Sequence, residues 1–142
     1  ELLDNWVFFC NGDTLLKNRN LNSLISKDLL DNTIEGYIDV FRESSINYSF
    51  VETDSQNIVI DIKEKIVISN KATSGLYGFK SKLIYQNFYL LLNNLNDENF
   101  ISDVYKLMLD YNRLILASDL FSVEDSVILG TPEDYNKNKN KF

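Results

Sequence analysis

Histidine is absent from this 142-residue chain, cysteine occurs once, and bases are outnumbered by acids, 14 to 21. Each shortage excludes something. Without histidine there is no histidine-based triad, no zinc–histidine centre and no histidine general base. The lone Cys10 forms no intrachain disulfide, and its place inside the apolar run Trp6-Val7-Phe8-Phe9-Cys10 predicts a buried core thiol. A formal net charge of −7 and a pI near 4.5 argue against nonspecific nucleic-acid or anionic-membrane binding, since both require a basic footprint. The same acidity leaves a nucleotide substrate open, because one lysine and one metal ion are enough to hold it. No apolar stretch approaches a membrane span, and Leu90-Leu91-Leu92 is a short piece of a helical stripe. A basic segment followed by an apolar one is also missing at the start. The expectation is a cytoplasmic protein with neither nucleic acid nor membrane as partner. With 44% hydrophobic and 13% aromatic residues, the chain has the material for one domain with a real core.

The pattern along the chain is mixed. Trp6 to Cys10 reads as a strand buried on both faces. Leu21, Leu24, Ile25 and Leu29 form a short helix-like stripe. Tyr37 to Phe41, Tyr48 to Glu52, Ile58 to Ile62 and Thr73 to Phe79 read as strands, and the turn cluster Asp54-Ser55-Gln56-Asn57 makes a hairpin of the second and third. Gly75 and Gly78 inside the last of these mark close approach of something else. Then the period becomes helical. Leu83, Ile84, Phe88, Leu91, Leu92 and Leu95 form one stripe, with Phe88 and Leu91 as core residues. Val104, Leu107, Met108 and Tyr111 form another, with Ser102 or Asp103 as N-cap. Leu114 to Ala117 and Val127 to Leu129 are short strands. Thr131 then caps a helix whose first position is Pro132, the only proline, with Glu133 and Asp134 in its first turn. Residues 136–142 read as a frayed polar tail.

Two polar clusters carry the chemistry. Asn11-Gly12-Asp13 follows the first strand. Glycine and an acid there suit a site at the carboxyl end of a parallel strand, with the glycine admitting a ligand and the carboxylate holding Mg²⁺ against phosphate oxygens. The same triplet is ordinary turn chemistry. Lys63-Glu64-Lys65 follows the Ile58–Ile62 strand, with Asn70, Thr73 and Gly75 beyond it. A lysine can neutralise a sugar phosphate, and a glutamate can accept hydrogen bonds from vicinal hydroxyls. A strand-end Lys-Glu-Lys is also an ordinary solvated face.

Taken in order, these stretches resemble the sugar-phosphate nucleotidyltransferases, the nucleoside-diphosphate-sugar pyrophosphorylases. The resemblance runs from Trp6 to Tyr135. It is carried by Asn11-Gly12-Asp13, Tyr48-Ser49-Phe50-Val51, Glu64-Lys65 and Ile68-Ser69-Asn70-Lys71-Ala72-Thr73-Ser74-Gly75-Leu76-Tyr77-Gly78-Phe79. Glu98-Asn99-Phe100-Ile101-Ser102-Asp103-Val104-Tyr105 and Leu129-Gly130-Thr131-Pro132-Glu133-Asp134 complete it. The resemblance implies an α/β fold, a Rossmann-like mixed sheet flanked by helices. It implies attack of a sugar 1-phosphate on the α-phosphate of a nucleoside triphosphate, with Mg²⁺ as cofactor and pyrophosphate as product. By the same resemblance Asp13 is the metal-binding and catalytic aspartate, Glu64 holds sugar hydroxyls and Lys65, also catalytic, sits on the sugar phosphate. Thr73 and Gly75 line the sugar, beside Asn11 and Gly12, with Tyr77 further along.

Two departures stand out. The family's G-G-x-G-x-R loop, which cradles the triphosphate and recognises the base, is missing from the sequence. The expectation is therefore that residues 1–135 are the carboxyl-terminal portion of such a domain, incomplete at its amino-terminal side, and inactive alone. Uncovered apolar faces would then favour a homo-oligomer. Second, the aspartate that many members carry two residues before the late glycine is Ile128 here, with Asp125 nearby. Branches linked to capsule and heptose nucleotide sugars share the Gly-Thr-Pro-Glu-Asp ending. Two other functions fit the same residues: a non-catalytic sugar-phosphate-binding or assembly remnant, and a metal-dependent glycosyltransferase. The latter would want an acid where Asn11 stands.

Overall fold

The structure is a computed structural model, and it describes residues 6–20, 33–93 and 99–140. The elements in chain order are β1 (Val7–Cys10), β2 (Thr14–Leu16), β3 (Ile34–Arg42), β4 (Ser49–Thr53), β5 (Val59–Glu64), β6 (Lys71–Phe79), α1 (Lys82–Asn93) and α2 (Ile101–Asp110). They continue with β7 (Leu114–Ala117), a 3-10 turn at Val123–Asp125, β8 (Ser126–Ile128) and α3 (Pro132–Asn138). The stripe predicted over Leu21–Leu30 lies outside the described residues, as does Leu95.

β3 and β6 are the longest strands, and both are almost wholly buried. They pair antiparallel along their length, and β7 joins the other edge of β3 in parallel. The main sheet runs β5-β4-β6-β3-β7, with β1 also on β6. β1 and β4 share one edge of β6. β4 meets it at a single pair, Phe50–Ala72, whereas β1 pairs from Leu76 to Phe79. Between them Thr73, Ser74 and Gly75 are left without a strand on that edge. The β4–β5 hairpin closes as its sequence predicts: Asp54 Oδ1 accepts from the amides of Gln56 (2.8 Å) and Ile58 (2.9 Å), and Asn57 takes the left-handed conformation at φ 61°.

Alternation along the strands sends one set of side chains to each face. Ile38, Val40, Val51, Ile62, Tyr77 and Phe79 meet α1 and α2 through Phe88, Leu92, Val104, Tyr105 and Met108. On the opposite face Tyr37 and Leu76 pack with Leu16, while Phe41 and Phe50 pack with Ile128, so the small β2–β8 ribbon covers that side. This is a mixed α/β sheet flanked by helices. No helix among the described residues is long and apolar enough to cross a membrane.

Several expectations are corrected. β1 is antiparallel to its neighbour, so Asn11-Gly12-Asp13 does not follow a parallel strand. Among the described residues it has a strand partner on one edge only, and it alternates in burial rather than being buried on both faces; Phe8 is 36% exposed and Cys10 is an exposed thiol, not a core one. Leu91 is 44% exposed, because the helix turns it away from the sheet that buries Phe88 and Leu92. The N-cap of α2 is Phe100, whose amide donates to Asp103 Oδ2 (2.8 Å), and Ser102 lies inside the helix. The polar stretch after Tyr135 is helical to Asn138, since that residue is buried and its Nδ2 donates to the Ile128 carbonyl at 3.0 Å.

Candidate functional site

The unpaired stretch of β6 opens into a cavity of about 410 Å³. Its floor is Thr73, Ser74 and Gly75. One wall is Ser49 from β4, Glu64 from β5 and the start of α2 at Phe100 and Ile101. The opposite wall is Asn11, Asp13 and Thr14, backed by Ile128, Gly130, Thr131 and Asp134. Asn47 and Tyr48 complete the rim, and Tyr77 stands behind Thr73.

Asn11 is positioned by β6 itself. Its amide donates to the Gly75 carbonyl (3.0 Å), and its side chain lies so close that a Cβ on Gly75 would meet Asn11 Nδ2 at 2.6 Å. Gly75 also has φ +92°, so this position requires glycine twice over. Asp13 is seated similarly. Its carbonyl accepts from the Leu129 amide (2.8 Å), and a Cβ on Gly130 would meet Asp13 Oδ2 at 2.5 Å. The late glycine of Gly130-Thr131-Pro132 is thus what lets the Asp13 carboxylate lie against the backbone. Thr14 Oγ1 donates to Asp13 Oδ1 (3.2 Å).

The ribbon that carries Asp13 is tied down by an ion pair absent from the sequence reading. Arg19 faces Asp39 through two contacts, Nε–Oδ1 at 3.3 Å and Nη2–Oδ2 at 3.0 Å, with both side chains almost fully buried. The guanidinium also donates to the carbonyls of Lys17 (2.9 Å) and Asp125 and to Ser126 Oγ (2.6 Å), and it lies 4.0 Å over the Phe121 ring. Planar, five-donor arginine can be saturated this way where lysine cannot. The signal for it was an acid in mid-strand, Asp39 between Tyr37-Ile38 and Val40-Phe41, where β3 shifts register.

The opposite wall is a hydrogen-bonded network. Glu64 Oε2 accepts from Ser49 Oγ, its cross-strand partner, and from Ser102 Oγ (2.8 Å). The Tyr77 hydroxyl donates to Thr73 Oγ1 at 2.9 Å. Burial pushes the Tyr77 phenol up to about 12, partly offset by the contact with Thr73, with nearby Glu64 adding to the rise. Tyr77 is therefore a fixed donor at ordinary pH. Tyr48 on the rim is raised too, by burial first and then by Asp134, Glu43 and Asp13 around it.

Of the predicted site residues, Asn11, Asp13, Glu64, Thr73 and Gly75 meet at this cavity, and Tyr77 with them. Gly12 and Lys65 do not line it. Gly12 sits in the turn with nothing near its Cβ position. Lys65, at φ 53°, turns its ammonium 5.5 Å over the ring of Phe100, at the rim. Asp125 lies elsewhere, hydrogen-bonded to Asn18 Nδ2 (2.7 Å) and Ser122 Oγ (2.7 Å). Ser49, Tyr48, Thr131 and Asp134 were visible as elements of the pattern without being read as site residues. Ser49 could have been found by aligning the hairpin about Asp54–Asn57, which sets it opposite Glu64.

Three carboxylates, Asp13, Glu64 and Asp134, line the cavity, and none of the lining residues is basic. Among the described residues there is no group of three or more acids, cysteines or histidines arranged to hold a metal. Mg²⁺ is usually bound by one or two carboxylates with phosphate oxygens and water making up the rest. Asp13 fits that partial role, in which the phosphate oxygens of a substrate would supply the remaining ligands.

The arrangement of strands and helices is a Rossmann-like fold shared with solved nucleotidyltransferases. Among solved structures, the nucleoside-diphosphate-sugar pyrophosphorylase from Vibrio cholerae RC9 superposes with a TM-score of 0.77 at 22% identity, over 94% of this chain and 55% of that one. The inositol-1-phosphate CTP transferase from T. maritima gives 0.69 at 18%, over 97% and 54%. A UDP-glucose pyrophosphorylase complexed with UDP-glucose gives 0.70 at 16%, over 97% and 56%. At these identities the likeness is one of fold, and this chain spans a little over half the length of each. No protein-family model matches the chain, and no curated protein sequence does.

Proposed function

We propose that this chain supplies the acceptor side of a sugar-phosphate nucleotidyltransferase. One observation carries the reading: residues from separate stretches, Asn11 and Asp13, Glu64, and Thr73 and Gly75, surround a single cavity of about 410 Å³ in a fold shared with such enzymes. In this reading a sugar 1-phosphate lies over Thr73–Gly75, its hydroxyls on Glu64. An oxygen of its phosphate attacks the α-phosphorus of a nucleoside triphosphate, and the bond to pyrophosphate breaks. No general base is required, since the attacking oxygen is already anionic, so the lack of histidine is no obstacle. Positioning and charge neutralisation do the work.

Asp13 would hold Mg²⁺ together with phosphate oxygens, and that ion would neutralise charge on the transferring phosphate. Lys65 supplies the cation at the rim, for the sugar phosphate. The triphosphate-cradling G-G-x-G-x-R loop is not in this sequence, so turnover belongs to a protein that brings such a loop to this cavity. The test is pyrophosphate release by the full protein, against a panel of nucleoside triphosphates and sugar 1-phosphates with Mg²⁺. Saturable release with one sugar 1-phosphate supports the reading. Release with none of them refutes it and leaves a non-catalytic binder of sugar phosphates.

A further inference from the structure

Glu64 is held in an unusual way for an acid on a strand end. Among the described residues both of its hydrogen bonds go to one oxygen, Oε2, and they come from two elements: Ser49 on β4 and Ser102 in the first turn of α2. Both serines are buried, at 6% and 2% exposure. Ser49 lines the cavity and Ser102 does not. A carboxylate with one oxygen pinned twice cannot rotate freely, and its remaining acceptor, Oε1, is free of these bonds. Such a group is a pre-set acceptor rather than a mobile charge.

We propose that Ser102 is a positioning residue for substrate selection. By fixing Glu64 Oε2 with Ser49, it makes Oε1 the acceptor that reads adjacent hydroxyl groups on the ring of the acceptor phosphate. The substrate class this selects is a phosphorylated polyol or sugar with vicinal free hydroxyls. A site built to accept from hydroxyls rejects the analogue that lacks one, because a buried acceptor is then left unpaired. Thr73 complements it: Oγ1 accepts from Tyr77, which leaves its own proton to donate toward the same ring. The inference rests on the nucleotidyl-transfer reading and extends it to a residue outside the cavity.

The test uses the full protein. Its preferred acceptor is first found among glucose, galactose, mannose and N-acetylglucosamine 1-phosphates, and kcat/KM is then compared with that of the ring-deoxy analogues. Wild type should prefer the fully hydroxylated acceptor. Ser102→Ala should reduce that preference about tenfold, the scale of one hydrogen bond to a charged group, with an unchanged KM for the triphosphate and an unchanged melting midpoint. Ser49→Thr, which keeps the hydroxyl on a strand, should retain the preference that Ser49→Ala loses. If Ser102→Ala lowers the melting midpoint, Ser102→Cys, similar in volume but a weak donor, decides by the same ratio. An undiminished preference, or equal loss toward both substrates, overturns the positioning role while leaving the reaction standing. Failure of wild type with every acceptor overturns the reaction and the inference with it.

Discussion

The two walls of the cavity are built to different standards. The Glu64 wall belongs to the main sheet and α2. Its polar atoms are hydrogen-bonded to each other, and Ser49, Thr73, Tyr77 and Ser102 are buried. The Asp13 wall stands on a two-stranded ribbon of three residues per strand, its carboxylate exposed and held by one hydroxyl and a close-packed glycine. The Arg19–Asp39 pair anchors that ribbon deeply, alongside the packing of Leu16 and Ile128 on the sheet. On the proposed reading the difference is a division of labour: the wall that would discriminate is already hydrogen-bonded, whereas the wall that would neutralise charge is left for phosphate and metal to complete.

High pH should erase the comparison altogether. Tyr77 is raised to about 12, and Tyr37 and Tyr105 are also raised, each chiefly by burial. A phenol whose folded pKa exceeds its unfolded value of about 10 stabilises the fold fully below that pH, and the contribution is lost as pH rises through the folded value. Between about pH 10 and 12, the part of the tyrosinate absorbance that Tyr77→Phe removes should therefore appear together with loss of far-ultraviolet dichroism. Appearance of that part ahead of unfolding would show this phenol to be accessible.

Asp39→Ala breaks the anchor of the weaker wall. Removing one partner from a buried pair costs about 3–5 kcal/mol, since the other charge is left uncompensated. Urea unfolding reads this directly, and a loss under about 1 kcal/mol would mean that the carbonyls of Lys17 and Asp125 satisfy Arg19 alone. Asp13→Asn should do the opposite, with little change in stability but a fall in Mg²⁺-dependent pyrophosphate release of about a hundredfold or more in the full protein. Gly75→Ala strikes the floor between the walls. Positive φ and the approach of Asn11 together should cost about 1–3 kcal/mol in the same unfolding assay. Lys65→Ala should be mildest, raising KM for the sugar 1-phosphate severalfold without moving the melting midpoint, as expected of an exposed rim charge.

The strong wall was also the more legible one. β-strand alternation and the Asp54–Asn57 turn placed the hairpin, and Glu64, Thr73 and Gly75, grouped by the family resemblance, line one cavity. Gly75 was read correctly as a point of close approach, although nothing local could say that Asn11 was the neighbour. The weak wall was read less well, because its geometry depends on pairings far apart in sequence. β1 looked doubly buried since its residues are all apolar, yet only one face is covered, Phe9 packing toward α1 while Phe8 and Cys10 on the other are left exposed. Arg19 and Asp39 are twenty residues apart and belong to no motif. Lys65 was placed on the sugar phosphate by the resemblance alone, and its left-handed backbone carries its ammonium over the ring of Phe100 rather than into the cavity lining.

The gap in the shared edge of β6 also acts as a ruler. The last residue paired with β4 is Ala72, and the first paired with β1 is Leu76. Four steps along a strand span roughly 13 Å. On the proposed reading, the strands that end there, and not side chains alone, set how much of a phosphorylated acceptor could lie against the β6 backbone.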